Sequence, residues 1–395
     1  MEVREGDTLH SFARKYLKDA ADWPKIYELN NSTIKNPNII YPGQIVLVPI
    51  EMLKEKVGDL TGLEKSVKIK KIKKDWRPGE FGERLFPEEG IQTGEKAFAR
   101  VDFLAGGSLK VYEHSLVFLK HAAKKNAVAS LLGGGINAEK IKVVTPAGEV
   151  NPQTEESEYD VAVEEDNKTK VSVHSGEVKV KPQITGVAQW SKEVEEKAVI
   201  IKKGYRTIVK PEKEPEAPKL LPESGEKALQ NIGMAAAGKE IKFLLQVSKS
   251  DNFKIILKHE EAYDLSPEYI EKELSPGRYY WRAAVMDNDG FSGAFSKPRS
   301  FVIKTSDPFV ELYEFEESGH NRSLLKVNGY AMNVWDISIN NNPATMTESG
   351  ELEALILLPN RISMVAGCKE GVIIKKYHKK YDEVWVPAGD VFLRR

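Results

Sequence analysis

Seven histidines, His10, His114, His121, His174, His259, His320 and His378, and a single cysteine, Cys368, are the residues from which catalysis or metal binding would have to be built in this 395-residue chain. The histidines are scattered, with no pair at metal-ligand spacing and no serine or cysteine motif beside them, so neither a nucleophilic triad nor a zinc set is legible. One cysteine excludes an intramolecular disulfide and every multi-cysteine zinc or iron-sulfur site. It ends an apolar strand and reads as a small buried side chain. Asp287-Asn288-Asp289-Gly290 begins like a calcium loop but lacks the distant glutamate, so a turn between strands is expected. Gly133-Gly134-Gly135 has no following Lys-Ser/Thr pair or helix cap and reads as a flexible turn, not a phosphate loop. Glu155-Glu156 and Glu164-Glu165-Asp166 have no histidine or basic group close enough in sequence for acid/base work and read as solvated turns. The chain is therefore expected not to be an enzyme, with no catalytic residue, no metal ligand and no cofactor.

Charge narrows the partners. Lysine and arginine total 58 against 59 acidic residues, so no global field recruits nucleic acid or an anionic membrane. The most basic stretch, residues 67–74, reads as a strand with an apolar face, a solvated lysine face and a bulge at Lys70-Lys71. No apolar run approaches the ~20 residues needed to cross a bilayer, and no export signal is legible before the first strand. The sequence reads as soluble, and its place in the cell has to be expected from the kind of module it carries.

The elements that must position any site come in four segments. Pro49 to Leu53, the run Lys210-Pro211-Glu212-Lys213-Glu214-Pro215-Glu216-Ala217-Pro218 and Thr305-Ser306-Asp307-Pro308 are breaks, the second of them composed like an extended polyproline linker. They divide the chain into 1–50, 51–210, 211–306 and 307–395. Helical periodicity is confined to the first segment and a short stretch near Gln189 to Lys197; elsewhere valine, isoleucine and tyrosine runs alternate with polar residues between turn signals. The expected fold is multidomain and mainly β. In the first segment, Asp7 and Thr8 can cap a helix with Leu9, Phe12, Ala13 and Tyr16 on one face. Asp22 and Pro24 start a second helix carrying Trp23, Ile26, Tyr27 and Leu29, which Asn30 ends. A strand over Glu2 to Glu5 pairs antiparallel with Ile45 to Val48 after the Tyr41-Pro42-Gly43-Gln44 turn, giving strand, helix, helix, strand.

Val3-Arg4-Glu5-Gly6-Asp7-Thr8-Leu9, Trp23-Pro24-Lys25-Ile26-Tyr27 and Asn36-Pro37-Asn38-Ile39-Ile40-Tyr41-Pro42-Gly43-Gln44 occur in the order of a LysM module, which the first segment resembles along its whole length. The resemblance implies a small α+β fold and a ligand of the N-acetylglucosamine polymer class, such as peptidoglycan. It places the sugar in a shallow groove between two loops, Gly6, Asp7, Thr8, Leu9 on one side and Asn36, Pro37, Asn38, Ile39, Ile40 on the other. Loop amides would bond the acetamido group while Leu9 and Ile39 offer its methyl an apolar patch. His10 stands where many relatives carry an aromatic residue.

Segment two, through Trp76-Arg77-Pro78-Gly79, Gly90-Ile91-Gln92-Thr93-Gly94, Arg100-Val101-Asp102-Phe103, Gly107-Ser108-Leu109-Lys110-Val111-Tyr112 and Val173-His174-Ser175-Gly176-Glu177-Val178, resembles the FecR domain, which implies an all-β, solenoid-like stack. In segment three, Phe243 to Ser248 and Leu274-Ser275-Pro276-Gly277-Arg278-Tyr279-Tyr280-Trp281-Arg282-Ala283 resemble strands of a fibronectin type III-like sandwich, with Tyr279 and Trp281 facing the core and Phe301 closing the last strand; its early tryptophan is replaced near Met234-Ala235-Ala236-Ala237. Segment four, with Val327-Asn328-Gly329, Thr347 to Leu352, Leu357-Leu358-Pro359-Asn360 and Ile362 to Ala366, is similar to bacterial immunoglobulin-like sandwiches. Together these resemblances imply a periplasmic or wall-associated protein of the bacterial envelope that holds peptidoglycan and offers β modules to other envelope proteins. Signal relay of the FecR type, or service as an accessory subunit of a wall hydrolase, are the alternatives.

Overall fold

The computed structural model describes residues 3, 7–17, 20–48, 56–71, 74–120, 127–189, 191–231, 241–318, 324–357, 361–369, 371–380 and 384–394. Gly6, the strand residues Glu2, Arg4 and Glu5, the break at Pro49 to Leu53, Ile72, Lys73, His121, Met234 to Ala237, His320 and Leu358 to Asn360 lie outside these. The chain is mainly β with several sheets, and it divides into two compact units, Met1–Val57 and Gly58–Arg395.

In the first unit the helix Leu9–Tyr16 starts at Thr8, whose hydroxyl accepts from Ser11 N at 3.0 Å while the Ser11 hydroxyl accepts from Thr8 N at 2.8 Å. This reciprocal cap satisfies two otherwise orphaned amides. The helix Trp23–Leu29 follows a short 3-10 turn; Asp22 makes no capping bond to it and instead pairs with Lys25 at 2.8 Å. Leu9, Phe12, Ala13, Leu17 and Ile26 close on Val3, Ile34 and Val46 as a small core. Val3 exchanges backbone bonds with Gly43 and Gln44, both 2.9 Å; these fall in the turn before Ile45 to Val48, which form no strand, so the expected antiparallel pair over Glu2 to Glu5 and Ile45 to Val48 is not seen among the described residues. Leu29, expected on the packed face of the second helix, is exposed.

The second unit begins with two sheets built from residues 58–220. The first sheet runs through Arg84–Leu85, Gly58–Glu64, Phe98–Phe103, Ser108–Val111, the second half of Val128–Glu139, Glu158–Val163, Thr169–Ser175, Tyr205–Val209 and Lys219–Leu220. The second runs through Trp76–Pro78, Val67–Lys70, Gly90–Thr93, Leu116–Lys120, the first half of Val128–Glu139, Lys142–Val144, Gly148–Pro152, Glu177–Pro182 and Val199–Lys202. One strand thus serves both sheets, and it changes sheet at the glycine triplet. That corrects the expected flexible turn: Gly133, Gly134 and Gly135 are strand residues, and Gly134 has φ +81°. A Cβ there would stand 2.4 Å from Ser115 Oγ and 2.6 Å from His114 O, so only glycine passes the backbone through the crossing.

The proline-rich run is also not an extended linker. Glu216 N bonds Ile208 O at 2.8 Å and Thr207 Oγ1 donates to Glu216 O at 2.7 Å, and Tyr205 and Arg206 then pair with Leu220 and Lys219. Prolines set the bend, and the returning strand supplies the bonds that extended polyproline would leave to water. The basic stretch is a strand from Val67 to Lys70 with Val67 and Ile69 buried and Lys68 exposed; Lys71 is not solvated but sits between Glu83 and Glu89 at 2.8 and 2.7 Å. Glu164 likewise pairs with Lys168 and Lys170 instead of standing in water.

A four-stranded sheet, Ile256–Ala262, Phe243–Ser248, Gly277–Val285 and Arg299–Ile303, comes next in the chain. Tyr279 is buried and stacks on Phe301 at 5.5 Å, and Trp281 packs beside them. The helices Gly225–Asn231 and Pro267–Glu271 flank it, too short for their periodicity to stand out in sequence. The chain ends in a four-stranded and a five-stranded sheet that share one apolar core including Val327, Leu352, Met364 and Cys368. Among the described residues no helix is long and apolar enough to cross a membrane.

Candidate functional site

Both loops of the expected groove rest on the core of the first unit. On one side Thr8 is exposed at the helix start and Asp7 is half-buried, while Leu9 points inward with 1% exposure. Leu9 therefore cannot offer a methyl-binding surface, because it is spent on the core between Phe12 and Ile26. On the other side Asn36 shapes the loop: its Oδ1 accepts from Asn38 N and its carbonyl from Ile39 N, both at 3.0 Å. This Asx-type turn leaves Asn38 exposed, Pro37 half-buried, Ile39 at 48% exposure and Ile40 packed against the core. Gly6 falls outside the described residues. The exposed apolar side chains on this side are Ile39 and Tyr41, the latter 66% exposed with its amide donating to Gln44 Oε1 at 3.1 Å. In sequence Tyr41 reads only as the start of a turn. Ile45 and Leu47, exposed on either side of buried Val46, extend the apolar strip. Their alternation with Val46 and Val48 is the available signal.

Asn30 is the residue whose role sequence reading missed. It ends the second helix, as expected, but it is 2% exposed and its amide clamps the backbone at Leu47: Nδ2 donates to Ile26 O and Leu47 O at 2.7 Å, and Oδ1 accepts from Leu47 N at 2.8 Å. It therefore holds the helix pair to the extended segment around Leu47 that follows the Asn36 loop.

A second constellation joins residues far apart in sequence. Across the outer side of the first sheet, Arg100, Lys110, Asn137, Asp160, Ser172 and Arg206 fall in one row, each the cross-strand neighbour of the next. The four-stranded sheet meets this side with its own row, His259, Gln246 and Arg282. His259 stacks on Tyr112, ring centroids 3.7 Å apart and planes 6° apart. His174 Nε2 donates to Asp160 Oδ2 at 2.7 Å, and Asn137 Nδ2 to Asp160 Oδ1 at 2.9 Å. The Asp287 to Gly290 turn is a turn, and it also clips the two parts together, with Arg206 3.0 Å from both carboxylates.

Burial opposes charge on both histidines, with different outcomes. Against that penalty Asp160 keeps the His174 pKa raised, whereas His259 is pushed down to about 4 by burial, Arg282 and Lys110 despite Asp160. Burial works to raise Asp160 as well, but His174 and Asn137 hold its carboxyl below the usual value. His259 is thus a neutral acceptor for Gln246 Nε2 at 3.0 Å, while Asp160 favours the protonated form of His174. A cavity of about 320 Å³ opens beside them, lined by Tyr112, Asp160, His259, Met286 and Phe291 among others. Among the described residues no three His, Cys, Asp or Glu side chains are grouped to hold a metal ion.

Comparison with known proteins bears on the first of these two places. A stretch of 49 residues is 39% identical to the potassium binding protein Kbp of Escherichia coli O6:H1 (strain CFT073), an alignment that takes in 12% of this chain and 33% of that relative. The chain thus spans about a third of the length of the curated relative it matches. Residues 1–49 match the LysM domain family, so that the first unit of this chain contains a LysM domain.

Proposed function

We propose that this chain is a non-enzymatic protein of the bacterial cell envelope that binds peptidoglycan, or a related N-acetylglucosamine polymer, through residues 1–50 and presents its β modules to envelope partners. The observation that carries the reading is the match of residues 1–49 to the LysM domain, together with an Asx-turn loop that leaves Asn38 and Ile39 open to a ligand. An exposed aliphatic side chain beside a carboxamide suits an acetamido group, whose methyl and amide need one of each. A periplasmic or wall-associated location follows from that ligand. We read residues 51–210 as a FecR-like body, 211–306 as a fibronectin type III-like part and 307–395 as an immunoglobulin-like sandwich, the shared strand of the two-sheet body and the two-sheet end being what supports the first and last of these. The potassium binding in the relative's name is not extended to this chain, since the matched stretch is a third of that protein.

Co-sedimentation with purified sacculi tests the proposal. The full chain is expected to pellet, the chain without residues 1–57 to stay in solution, and Ile39→Asp to lose binding about tenfold or more, as a buried apolar contact turned into a desolvated charge. Equal pelleting of all three would overturn it.

A further inference from the structure

The row of polar residues under the four-stranded sheet is mostly paired. Arg206 has Asp287 and Asp289, Lys170 has Glu164, His174 has Asp160, and Arg100 has Asp102 at 2.7 Å. Lys110 differs. It is 9% exposed and has no hydrogen-bond or ion-pair partner among the described residues. The acids that act on it are Glu158 and Asp160, neither within ion-pair distance, and Asp160 is already bonded to His174 and Asn137.

Two further cations converge on it. Arg100 is its direct cross-strand neighbour, and its Nε is buried without a bonded partner. Arg282 comes from the opposite sheet with its guanidinium clamped between the rings of Phe253 and Phe295, 4.2 and 4.4 Å away, and its Nε donating to Gln246 Oε1 at 2.9 Å. The clamp fixes its direction, and its terminal nitrogens have no partner among the described residues. After burial, the charge of Arg282 is the strongest influence lowering the Lys110 pKa, with Arg100 adding to it. A buried ammonium facing two guanidinium groups is costly unless an acceptor is supplied.

We propose that Lys110, Arg100 and Arg282 form a binding site for a small oxyanion, a phosphate or carboxylate group, in the seam between the first sheet and the four-stranded sheet. Planar guanidinium forks and an ammonium match the geometry and charge of such a group. The 320 Å³ cavity is lined by Asp160 and Ser172 of the same row and by Tyr112, two residues beyond Lys110, but not by the three cations themselves. The site would fasten the two parts to each other only when occupied, which couples a soluble anion to the stiffness of the seam.

Thermal unfolding of the full chain tests this, in phosphate, sulfate or acetate against chloride at equal ionic strength. Binding raises the midpoint by roughly 2–4 °C at an anion concentration ten times its dissociation constant. Because phosphate and sulfate also stabilise proteins generally, the deciding comparison is Lys110→Met, which loses the specific rise while unfolding no earlier than the wild type in chloride. Arg282→Lys keeps the charge but not the fork and reduces the rise. A response to phosphate and sulfate alone assigns a tetrahedral oxyanion, and a response to acetate a carboxylate. No rise above chloride, or the same rise in Lys110→Met, overturns the proposal.

Discussion

At the scale of single residues, the first unit depends on one buried carboxamide that ties a helix to the end of the unit. Asn30 satisfies both backbone groups of Leu47 and the carbonyl of Ile26 from a 2% exposed position. Asn30→Ala would leave those groups buried and unsatisfied, at about 1–3 kcal/mol for each that water cannot reach, in a unit whose core is eight buried residues. The expected result is a loss of roughly 3 kcal/mol, enough to unfold so small a unit. It would be read as a lost early unfolding transition and lost sacculus binding, with the later transition of residues 58–395 unchanged. A wild-type early transition in this variant would contradict the clamp. Sequence could place Asn30 at a helix end because asparagine is a common stop; it could not show that the carboxamide reaches backbone seventeen positions later. Leu9 shows the reverse: its neighbourhood to a motif suggested a ligand contact, while its helical phase with Phe12 and Ala13 already pointed inward.

At the scale of elements, strand identity was legible and strand partnership was not. Alternation located Phe243–Ser248 and the strand around Tyr279 well enough that Tyr279, Trp281 and Phe301 meet as expected. The glycine triplet misleads because glycine runs in sequence signal turns, whereas here the strand pairing continues through a kink at Gly134 as the chain leaves one sheet for another. That crossing makes a sharp prediction. Gly134→Ala combines a positive φ with contacts of 2.4 and 2.6 Å to Ser115 Oγ and His114 O, and should cost at least ~2 kcal/mol. Gly133→Ala meets nothing within 4 Å and should change stability by less than ~1 kcal/mol. Chemical denaturation of both variants checks the contrast; equal effects would mean the crossing is not pinned at Gly134. The proline run misleads for a related reason: composition favours extension, but Glu216 bonding back to Ile208 is a long-range fact.

At the scale of the whole chain beyond residue 58, the seam between the first sheet and the four-stranded sheet contains buried titratable groups, and this gives it a pH response. His259 has a folded-state pKa of about 4 against an ordinary 6.5, because burial and the neighbouring Arg282 and Lys110 disfavour its charge. Between those values the unfolded chain binds a proton that the folded chain does not, so stability falls as pH drops from about 6.5 to about 4, by up to roughly 3 kcal/mol at ~1.36 kcal/mol per pH unit. His174 has the opposite sign: its raised pKa adds stability that is fully present below about 6.5 and disappears as pH climbs through the folded value, so it leaves the acid slope alone. Asp160, held low, adds stability above the ordinary aspartate range that is lost only as pH falls through its folded value. The acid slope between pH 6.5 and 4 therefore belongs to His259 among these three. His259→Phe keeps a ring against Tyr112 but cannot titrate. Its denaturation midpoint should vary much less across that window than the wild type's, even if the lost bond to Gln246 lowers it throughout. A variant with the wild-type slope would show that His259 is solvated and titrates normally in the folded chain, and that the two parts are not pressed together at this stack.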